Sequence, residues 1–156
     1  MPKMTPCLWF DDNAEEAVNY YLSVFKNSAI LNVSRYSEGG MGEPGKVMVI
    51  NFSLDGQEYM ALNGGPVFNF TEAVSFYVHC DTQAEIDWYW EKLSAHPEAE
   101  QCGWCKDQFG LSWQIVPNSL GELMGGSAEQ AGRVMQALLQ MKKLDIAALT
   151  RARDAG

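Results

Sequence analysis

The chain has 156 residues, of which 47% are hydrophobic and 20% charged, and its formal net charge is −9. This composition excludes a disordered chain, and the length fits one domain or two small fused halves. The acidic balance argues against a nucleic-acid partner, because phosphate binding needs clustered Lys and Arg side chains. No apolar run reaches the ~18 residues of a membrane span, and no signal-peptide core follows the N-terminus. We therefore expect a cytoplasmic protein with no membrane partner.

The first half of the chain is predicted to form a strand, a helix and three more strands. Asp11-Asp12-Asn13 supplies helix-capping side chains, and the residues from Ala14 to Phe25 place their apolar members at helical spacing. Asp55-Gly56 is a hairpin-turn signal between the last two strands. The predicted strands are Thr5–Phe10, Ile30–Tyr36, Val47–Leu54 and Glu58–Asn63, and Ser37–Lys46 is a Gly-rich loop.

The second half repeats this pattern, although few letters are identical. Thr82-Gln-Ala-Glu85 is a capping box that opens a helix with an apolar stripe. An offset of 69 residues pairs Tyr20 with Tyr89, and an offset of 54 pairs Tyr59 with Trp113. Self-similarity at about half the chain length predicts two βαβββ modules. The strands predicted in this half are Ser75–Cys80, Glu98–Lys106 and Leu111–Val116.

The C-terminal segment differs in charge from the rest of the chain. Up to Gly126 there are 6 basic and 17 acidic residues, whereas 5 basic and 3 acidic residues follow. Ser127-Ala-Glu-Gln130 is a second capping box, and Asp145 is placed to cap a last short helix. We predict a helical tail over 127–156. Its apolar stripe, which we expect to assist a homodimer, consists of Ala131, Val134, Met135, Leu138 and Met141.

Gly40-Met-Gly42-Glu-Pro-Gly45-Lys46 matches two phosphate-loop patterns by its letters. Both patterns work only where a helix begins, because the ligand is held by unpaired N–H groups and by the helix dipole. A strand is predicted to begin at Val47 instead. This segment is therefore interpreted as a hairpin loop, not a nucleotide site.

The cysteines and histidines offer little material for catalysis. Cys102-Gly-Trp-Cys105 is a CxxC motif, but no helix follows it, and a spacing of three along a strand puts the two thiols on opposite faces. We interpret these two residues, with Cys7 and Cys80, as reduced structural thiols. His79 and His96 are interpreted as ordinary core or surface histidines.

At this level of detail the chain resembles a known family. Two βαβββ modules ending in Trp113-Gln-Ile-Val-Pro117 resemble the glyoxalase, or vicinal oxygen chelate, fold. Several segments are more closely similar to its PhnB-like branch, often labelled 3-demethylubiquinone-9 3-methyltransferase. These segments are Met60–Pro66, Phe68–Ser75, Cys80–Gln83, Cys102–Trp104, Lys106–Pro117 and the tail from Arg133 to Leu149.

The resemblance implies an α+β fold in which two modules form a cupped mixed sheet, followed by a C-terminal helical tail. Applied to this chain, the modules occupy about 1–66 and 67–126, and together they make a domain over 1–126. The metal-ligand positions of the fold correspond to Pro6, Met60, Ser75 and Gln114. Because these four side chains provide neither a carboxylate nor an imidazole, we predict that no metal is held there.

The methyltransferase label can be examined in the same way. A Rossmann-type methyltransferase needs a Gly-rich turn from a strand into a helix and a later acidic residue for the ribose. Neither feature occurs in that context in this sequence. We therefore regard the labelled activity as doubtful, and no cofactor is predicted.

The fold implies a concave surface lined by alternate strand residues. Pro6, Leu8, Phe10, Glu58, Met60, Leu62, Ser75, Tyr77, Ser112, Gln114 and Val116 are expected to point inward, with Leu8, Leu62 and Val116 equally compatible with packed core. Glu58 is the inward carboxylate and a weak candidate for a catalytic base, although an exposed edge position suits it slightly better. The predicted ligand-binding residues are Phe10, Met60, Asn63, Phe68, Phe70, Ser75, Tyr77, Trp104, Lys106 and Gln114.

These features predict a protein that binds a small, partly apolar organic molecule without a metal. Whether it is an enzyme stays open at this stage, and the substrate is not indicated. One alternative is a metal-dependent lyase or dioxygenase that recruits Glu58, Glu72 and His79. The other alternative is a non-enzymatic protein that sequesters a small molecule, as the antibiotic-binding relatives of the fold do.

Overall fold

The computed structural model of the protein describes residues 3–155 and divides into two compact units, one ending at Phe70 and the other beginning at Thr71. Both combine helices with a small mixed sheet, which confirms the predicted α+β class. The boundaries predicted near residues 66 and 127 remain predictions. No helix within the described residues is long and apolar enough to cross a membrane.

The first unit has the βαβββ order predicted for it. Its sheet runs β1-β4-β3-β2, with β1 parallel to β4 and the other neighbours antiparallel. Asp55 and Gly56 both have positive φ, which is the backbone of a two-residue hairpin turn, as predicted. The elements are β1 (Cys7–Phe10), α1 (Ala14–Val24), β2 (Ala29–Arg35), β3 (Val47–Leu54) and β4 (Gln57–Asn63).

One face of this sheet forms the core of the unit with α1. Ile50, Phe52 and Leu54 alternate along β3 and are buried, and Ala61 is buried beside Ile50 on β4. Helix α1 contributes a buried stripe at helical spacing. The alternation of buried residues along β3 follows from a strand that is covered by a helix on one side only.

The cap of α1 differs from the prediction. Asn13 occupies the N-cap position, but its side chain makes no capping hydrogen bond. The carboxamide of Asn63, at the end of β4, takes this role: Oδ1 accepts from the Ala14 amide at 2.8 Å, and Nδ2 donates to the Val47 carbonyl at 3.1 Å. A residue distant in sequence therefore accepts the hydrogen bond of the first amide of the helix.

The second unit contains a three-stranded sheet in the order β5-β7-β6, with β5 parallel to β7, and four helices. Thr82 caps α2 as predicted, because its hydroxyl accepts from the Glu85 amide. The elements are β5 (Ser75–Cys80), α2 (Gln83–Leu93), β6 (Trp104–Lys106), β7 (Ser112–Pro117), α3 (Leu120–Leu123), α4 (Ala128–Leu139) and α5 (Ile146–Asp154).

The predicted strand Glu98–Lys106 is wrong in its first half. Pro97–Ala99 is a 3₁₀ turn, and Gln101 pairs with Trp104 only through an isolated bridge. Cys102 and Gly103 both have positive φ, so the chain reverses where an extended strand was expected. With three strands among its described residues, the second unit is βαββ and not the βαβββ module predicted, and no strand corresponding to β2 lies between α2 and β6.

The internal repeat is visible in the pairing of the strands. In each unit the strand before the helix lies parallel to the last strand of the sheet. The N-caps Asn13 and Thr82 are separated by the predicted offset of 69 residues. The repeated pattern therefore reflects a repeated topology.

The C-terminal helices pack within the second unit. Leu123, Val134 and Leu149 form a buried cluster that joins α3, α4 and α5. Both predicted caps are present, the capping box at Ser127 and the side chain of Asp145. Val134 is buried in this cluster, whereas Met135 and Leu139 are the large apolar residues that α4 leaves exposed. The homodimer stays a prediction.

Several hydrogen bonds fasten the segment between α4 and α5 to the rest of the second unit. The Cys102 and Gly103 amides donate to the carbonyls of Met141 and Lys142. The Gln83 carboxamide donates to the Leu144 carbonyl and accepts from the Ile146 amide. The change in charge at Gly126 therefore does not coincide with a break in packing.

Candidate functional site

One face of the β5–β7–β6 sheet gathers most of the polar candidates. Residues opposite each other in neighbouring strands point to the same side of a sheet. Strand pairing places Ser112 between Ser75 and Lys106, and Gln114 between Tyr77 and Trp104. The polar face, as we call it, therefore consists of two rows of three side chains: Ser75, Ser112 and Lys106, then Tyr77, Gln114 and Trp104.

Five of the ten predicted ligand-binding residues belong to the polar face. Ser75, Tyr77 and Gln114 were expected to point inward from β5 and β7, and the strand pairing puts them on one side. Trp104 and Lys106 were expected at strand ends or in the adjoining loops, and they are the first and last residues of β6. Pairing with β7 is what aligns them with Gln114 and Ser112.

Two polar contacts organise this face. Gln114 Nε2 donates to Ser75 Oγ at 3.0 Å, joining β7 to β5. Lys106 Nζ lies 2.5 Å from Glu72 Oε1. The hydrogen bond from Lys106 and its positive charge lower the pKa of the Glu72 carboxyl below its usual value. The polar face therefore carries one ion pair and one amide–hydroxyl pair.

Ser112 is exceptional among the described residues. It is only 2% exposed, and its Oγ has no hydrogen-bond partner. A buried hydroxyl without a partner is unfavourable, and most such groups in native proteins are satisfied by protein, water or ligand. Ser112 is thus a donor and acceptor held in the row that contains Ser75 and Lys106.

The second row adds aromatic surface. Tyr77 is exposed, and its ring lies 4.8 Å from the His79 imidazole by centroids. Partial burial raises the pKa of the Tyr77 phenol. Because Trp104 lies on the other side of Gln114, a bound molecule would meet an amide flanked by two aromatic rings. This combination suits a ligand that is partly apolar and partly hydrogen-bonding.

A buried carboxylate supports β6 and β7 from the loop that joins them. Asp107 Oδ1 accepts from the amides of Phe109 and Leu111, at 2.8 and 3.1 Å. Its Oδ2 accepts from Trp113 Nε1 at 2.8 Å. Asp107 lies next to Lys106, so these bonds also fix where β6 ends. They give structural roles to Asp107 and Trp113, two residues of the motif Lys106–Pro117.

The expected lining of the first unit is wrong in one respect. Strand β1 pairs with β4 so that Cys7 is opposite Met60 and Leu8 is opposite Ala61. Leu8 and Phe10 therefore share the helix-covered face with Ala61, whereas Met60 and Leu62 point to the other side. Phe10, which is 3% exposed, packs against Phe70. Phe10 and Met60 cannot line the same surface of this sheet.

Trp9 was not among the candidates, yet it organises the loop after β4. Its ring contacts Phe68 edge-on at 4.9 Å, and its Nε1 donates to the Gly65 carbonyl at 2.9 Å. A Cβ on Gly64 would lie 2.3 Å from the same ring. The Gly64-Gly65 pair after β4 was the signal in the sequence, since glycine permits such a close approach.

Asn63 lines a cavity of about 880 Å³ in the first unit, on the side of the α1 N-terminus. Arg35 and Lys46 also line it, together with the acidic Asp11, Asp12, Glu15 and Glu43. Of the predicted ligand-binding residues, Asn63 alone lines this cavity. Its carboxamide is already hydrogen-bonded to the backbone of Ala14 and Val47. The cavity shares no lining residue with the polar face.

The four positions that the resemblance assigns to metal ligands do not suit a metal ion in this chain. In the second unit Gln114 uses its amide nitrogen on Ser75, so this pair is a hydrogen bond between neutral groups. Pro6 and Met60 in the first unit provide no oxygen or nitrogen ligand in their side chains. Within residues 3–155 no three His, Cys, Asp or Glu side chains are grouped to hold a metal ion.

The alternative metal ligands have other surroundings. Glu72 is paired with Lys106, and His79 lies against Tyr77. Glu58 is exposed on β4, opposite Ser53 of β3. It therefore lacks the burial that would favour its use as a general base.

The four cysteines are free thiols, and we expect them to fall into two classes. Cys80 and Cys105 are buried, and burial raises the pKa of each thiol to about 12. Cys7 and Cys102 have accessible surface. Titration with a disulfide reagent at about pH 8 should show that Cys7 and Cys102 react fast. Cys80 and Cys105 should react only after the protein is unfolded in urea. Four thiols reacting at one rate in the folded protein would contradict these assignments.

Comparison with known proteins agrees with the fold. The family model described as 3-demethylubiquinone-9 3-methyltransferase matches residues 2–116. No curated protein matches the chain. A PhnB protein from Bacillus cereus with the same family description is 39% identical, with a TM-score of 0.64 over 74% of this chain and 99% of that one.

Two further solved structures are similar at lower identity. Protein PA1353 from Pseudomonas aeruginosa is 17% identical, with a TM-score of 0.58 over 75% of this chain and 98% of that one. A lactoylglutathione lyase from Agrobacterium tumefaciens is 18% identical, with a TM-score of 0.43 over 76% of this chain and 96% of that one. The fold is an α+β arrangement of helices with small mixed sheets. The chain belongs to the 3-demethylubiquinone-9 3-methyltransferase-like family, together with the PhnB protein.

Proposed function

We propose that the protein binds a small, partly apolar organic molecule on the polar face, without a metal ion. The observation that carries this proposal is the grouping of Ser75, Lys106, Tyr77, Gln114 and Trp104 in two adjacent rows of one sheet. Hydroxyl, amide and ammonium groups beside aromatic rings are the usual composition of a small-molecule site. The buried Ser112 hydroxyl, which has no partner, supports the same location.

Methyl transfer of the Rossmann type has little support in the chain. The two turns that lead from a strand into a long helix are Asp11–Asn13 and Asp81–Thr82, and neither contains a glycine. Such an enzyme needs a Gly-rich turn at this point so that the backbone can approach the cofactor. We therefore base the proposal on the polar face and not on the family description.

Binding to a panel of small organic molecules, followed by amide and indole NMR shifts, tests the proposal. Ligands should shift the signals of Tyr77, Trp104 and Gln114, and Gln114→Leu should weaken binding about tenfold, the effect of losing one or two hydrogen bonds. Gln136→Leu, on the exposed side of α4, is the matched control and should bind as the unmodified protein does.

Two results would contradict the proposal. One is a set of ligands whose shifts lie elsewhere in the chain, for example around the cavity lined by Asn63. The other is binding that Gln114→Leu and Gln136→Leu leave equally unchanged. Mass spectrometry of the recovered ligands then separates turnover from sequestration.

A further inference from the structure

We infer that the molecule bound on the polar face carries a carboxylate, and that this carboxylate takes the place of Glu72 on Lys106. The inference rests on the proposed function and names the chemical class of its ligand. Its basis is the first row of the polar face, where Ser75, Ser112 and Lys106 are adjacent. The hydrogen-bonding groups and charge of these three side chains indicate the charge of a ligand group that binds beside them.

The row is rich in hydrogen-bond donors. Lys106 offers an ammonium group, which can only donate. Ser75 Oγ accepts from Gln114, and its hydroxyl proton can still be donated to a ligand. Ser112 is buried and its hydroxyl has no partner. A group that satisfies this row must accept several hydrogen bonds and carry negative charge, as a carboxylate does.

Glu72 is a replaceable partner for Lys106. Its side chain is 62% exposed, whereas that of Lys106 is 29% exposed. Glu72 lies outside the sheet, in the segment before β5, where the Thr71 hydroxyl accepts from the Ala73 amide. Ion pairs with an exposed member contribute little to stability, so an incoming carboxylate exchanges one partner of Lys106 for another at low cost.

The second row indicates what the remainder of the ligand is. Tyr77 and Trp104 flank Gln114 next to the first row. A molecule with its carboxylate beside Lys106 and Ser112 would extend an apolar body over these rings. Lys106 carries the one ammonium group among the six side chains of the polar face, so a ligand with one negative charge would balance it. The expected ligand is therefore an organic monocarboxylate of modest size.

The test uses matched pairs that differ only in charge: aromatic and aliphatic carboxylates of three to ten carbons, each with its primary amide, such as 3-phenylpropionate and 3-phenylpropionamide. For the unmodified chain we expect carboxylates to bind at least about tenfold more tightly than their amides, with shifts at Tyr77 and Trp104. Glu72→Gln should tighten carboxylate binding severalfold, because it removes the competing carboxyl group. Lys106→Met should abolish the preference over the amides.

Matched controls separate local from general charge effects. Glu91→Gln removes an exposed carboxylate from α2, and Lys142→Met removes a charge from the tail. Both should leave the ratio of carboxylate to amide affinity unchanged.

Each outcome has a distinct meaning. Equal binding of carboxylates and amides at the polar face overturns the inference and leaves the proposed function standing. The same holds if Lys106→Met keeps the preference, or if Glu72→Gln and Glu91→Gln have the same effect. Shifts that avoid Tyr77, Trp104 and Gln114 for every pair, or binding by none of them, overturn both.

Discussion

Replacing Asp107 by alanine is expected to lower the free energy of unfolding by about 4 kcal/mol, because three N–H donors lose their acceptor at once. Asp107 is 1% exposed, and its two oxygens accept from the Phe109 and Leu111 amides and from the Trp113 indole. Because Leu111 and Trp113 are at most 2% exposed, water has little access to replace the carboxylate at these two donors. Urea unfolding followed by circular dichroism measures the loss.

Two further variants assign this loss to the hydrogen bonds. Asp107→Asn keeps an acceptor for the two amides but places an NH₂ group opposite Trp113 Nε1, so about half the effect is expected. In a double-mutant cycle with Trp113→Phe, the Asn substitution should cost clearly less, because the indole donor is absent. Asp12→Ala, at an exposed position, should change stability by less than about 0.5 kcal/mol. Equal losses for Asp107→Ala and Asp12→Ala would refute this account of the loop.

Gly64→Ala is the second substitution with a large expected effect, a destabilisation of about 3 kcal/mol. The new methyl group would lie 2.3 Å from the Trp9 ring, so the indole must move. That movement breaks its hydrogen bond to Gly65 and its contact with Phe68. The midpoint of urea unfolding should fall, and the NMR signal of the Trp9 indole N–H should shift.

Gly132→Ala is the matched control for this prediction. Gly132 lies inside α4, and a Cβ there would meet nothing within 4 Å. Because alanine favours a helix over glycine, this substitution should stabilise the protein by about 0.5–1 kcal/mol. If Gly64→Ala were as well tolerated as Gly132→Ala, the close approach of Gly64 to Trp9 would be disproved.

Elements with a local signal were predicted well. Val47–Leu54 and Ser75–Cys80 have the bounds expected from their residue pattern. The Thr82 side chain caps α2, and a capping box at Ser127 opens α4. Each depends on hydrogen bonds or periodicity within a few residues. The prediction for Glu98–Lys106 failed at the turn of Cys102-Gly103. Backbone hydrogen bonds to the segment between α4 and α5 hold this turn, and that segment is distant in sequence.

The candidate site shows a similar division. The period of two correctly separated Ser75, Tyr77 and Gln114 from their neighbours along each strand. It did not show that Phe10 and Met60 lie on opposite faces, since alternation within one strand says nothing about its register against the next. The cap that Asn63 provides to α1 was also missed. Asn63 and Ala14 are 49 residues apart, and no local pattern shows such a contact.

The sequence by itself therefore determined the fold class, the order of strands and helices in the first unit, the family resemblance and the types of side chain available for binding. These properties depend on local periodicity, on capping chemistry and on motifs written in consecutive letters. Tertiary structure decided which of the side chains meet. Strand register placed Lys106 beside Ser112 and Trp104 beside Gln114, and contacts across the second unit paired Lys106 with Glu72. Such pairings arise from hydrogen bonds and packing between distant segments, and no short stretch of sequence encodes them.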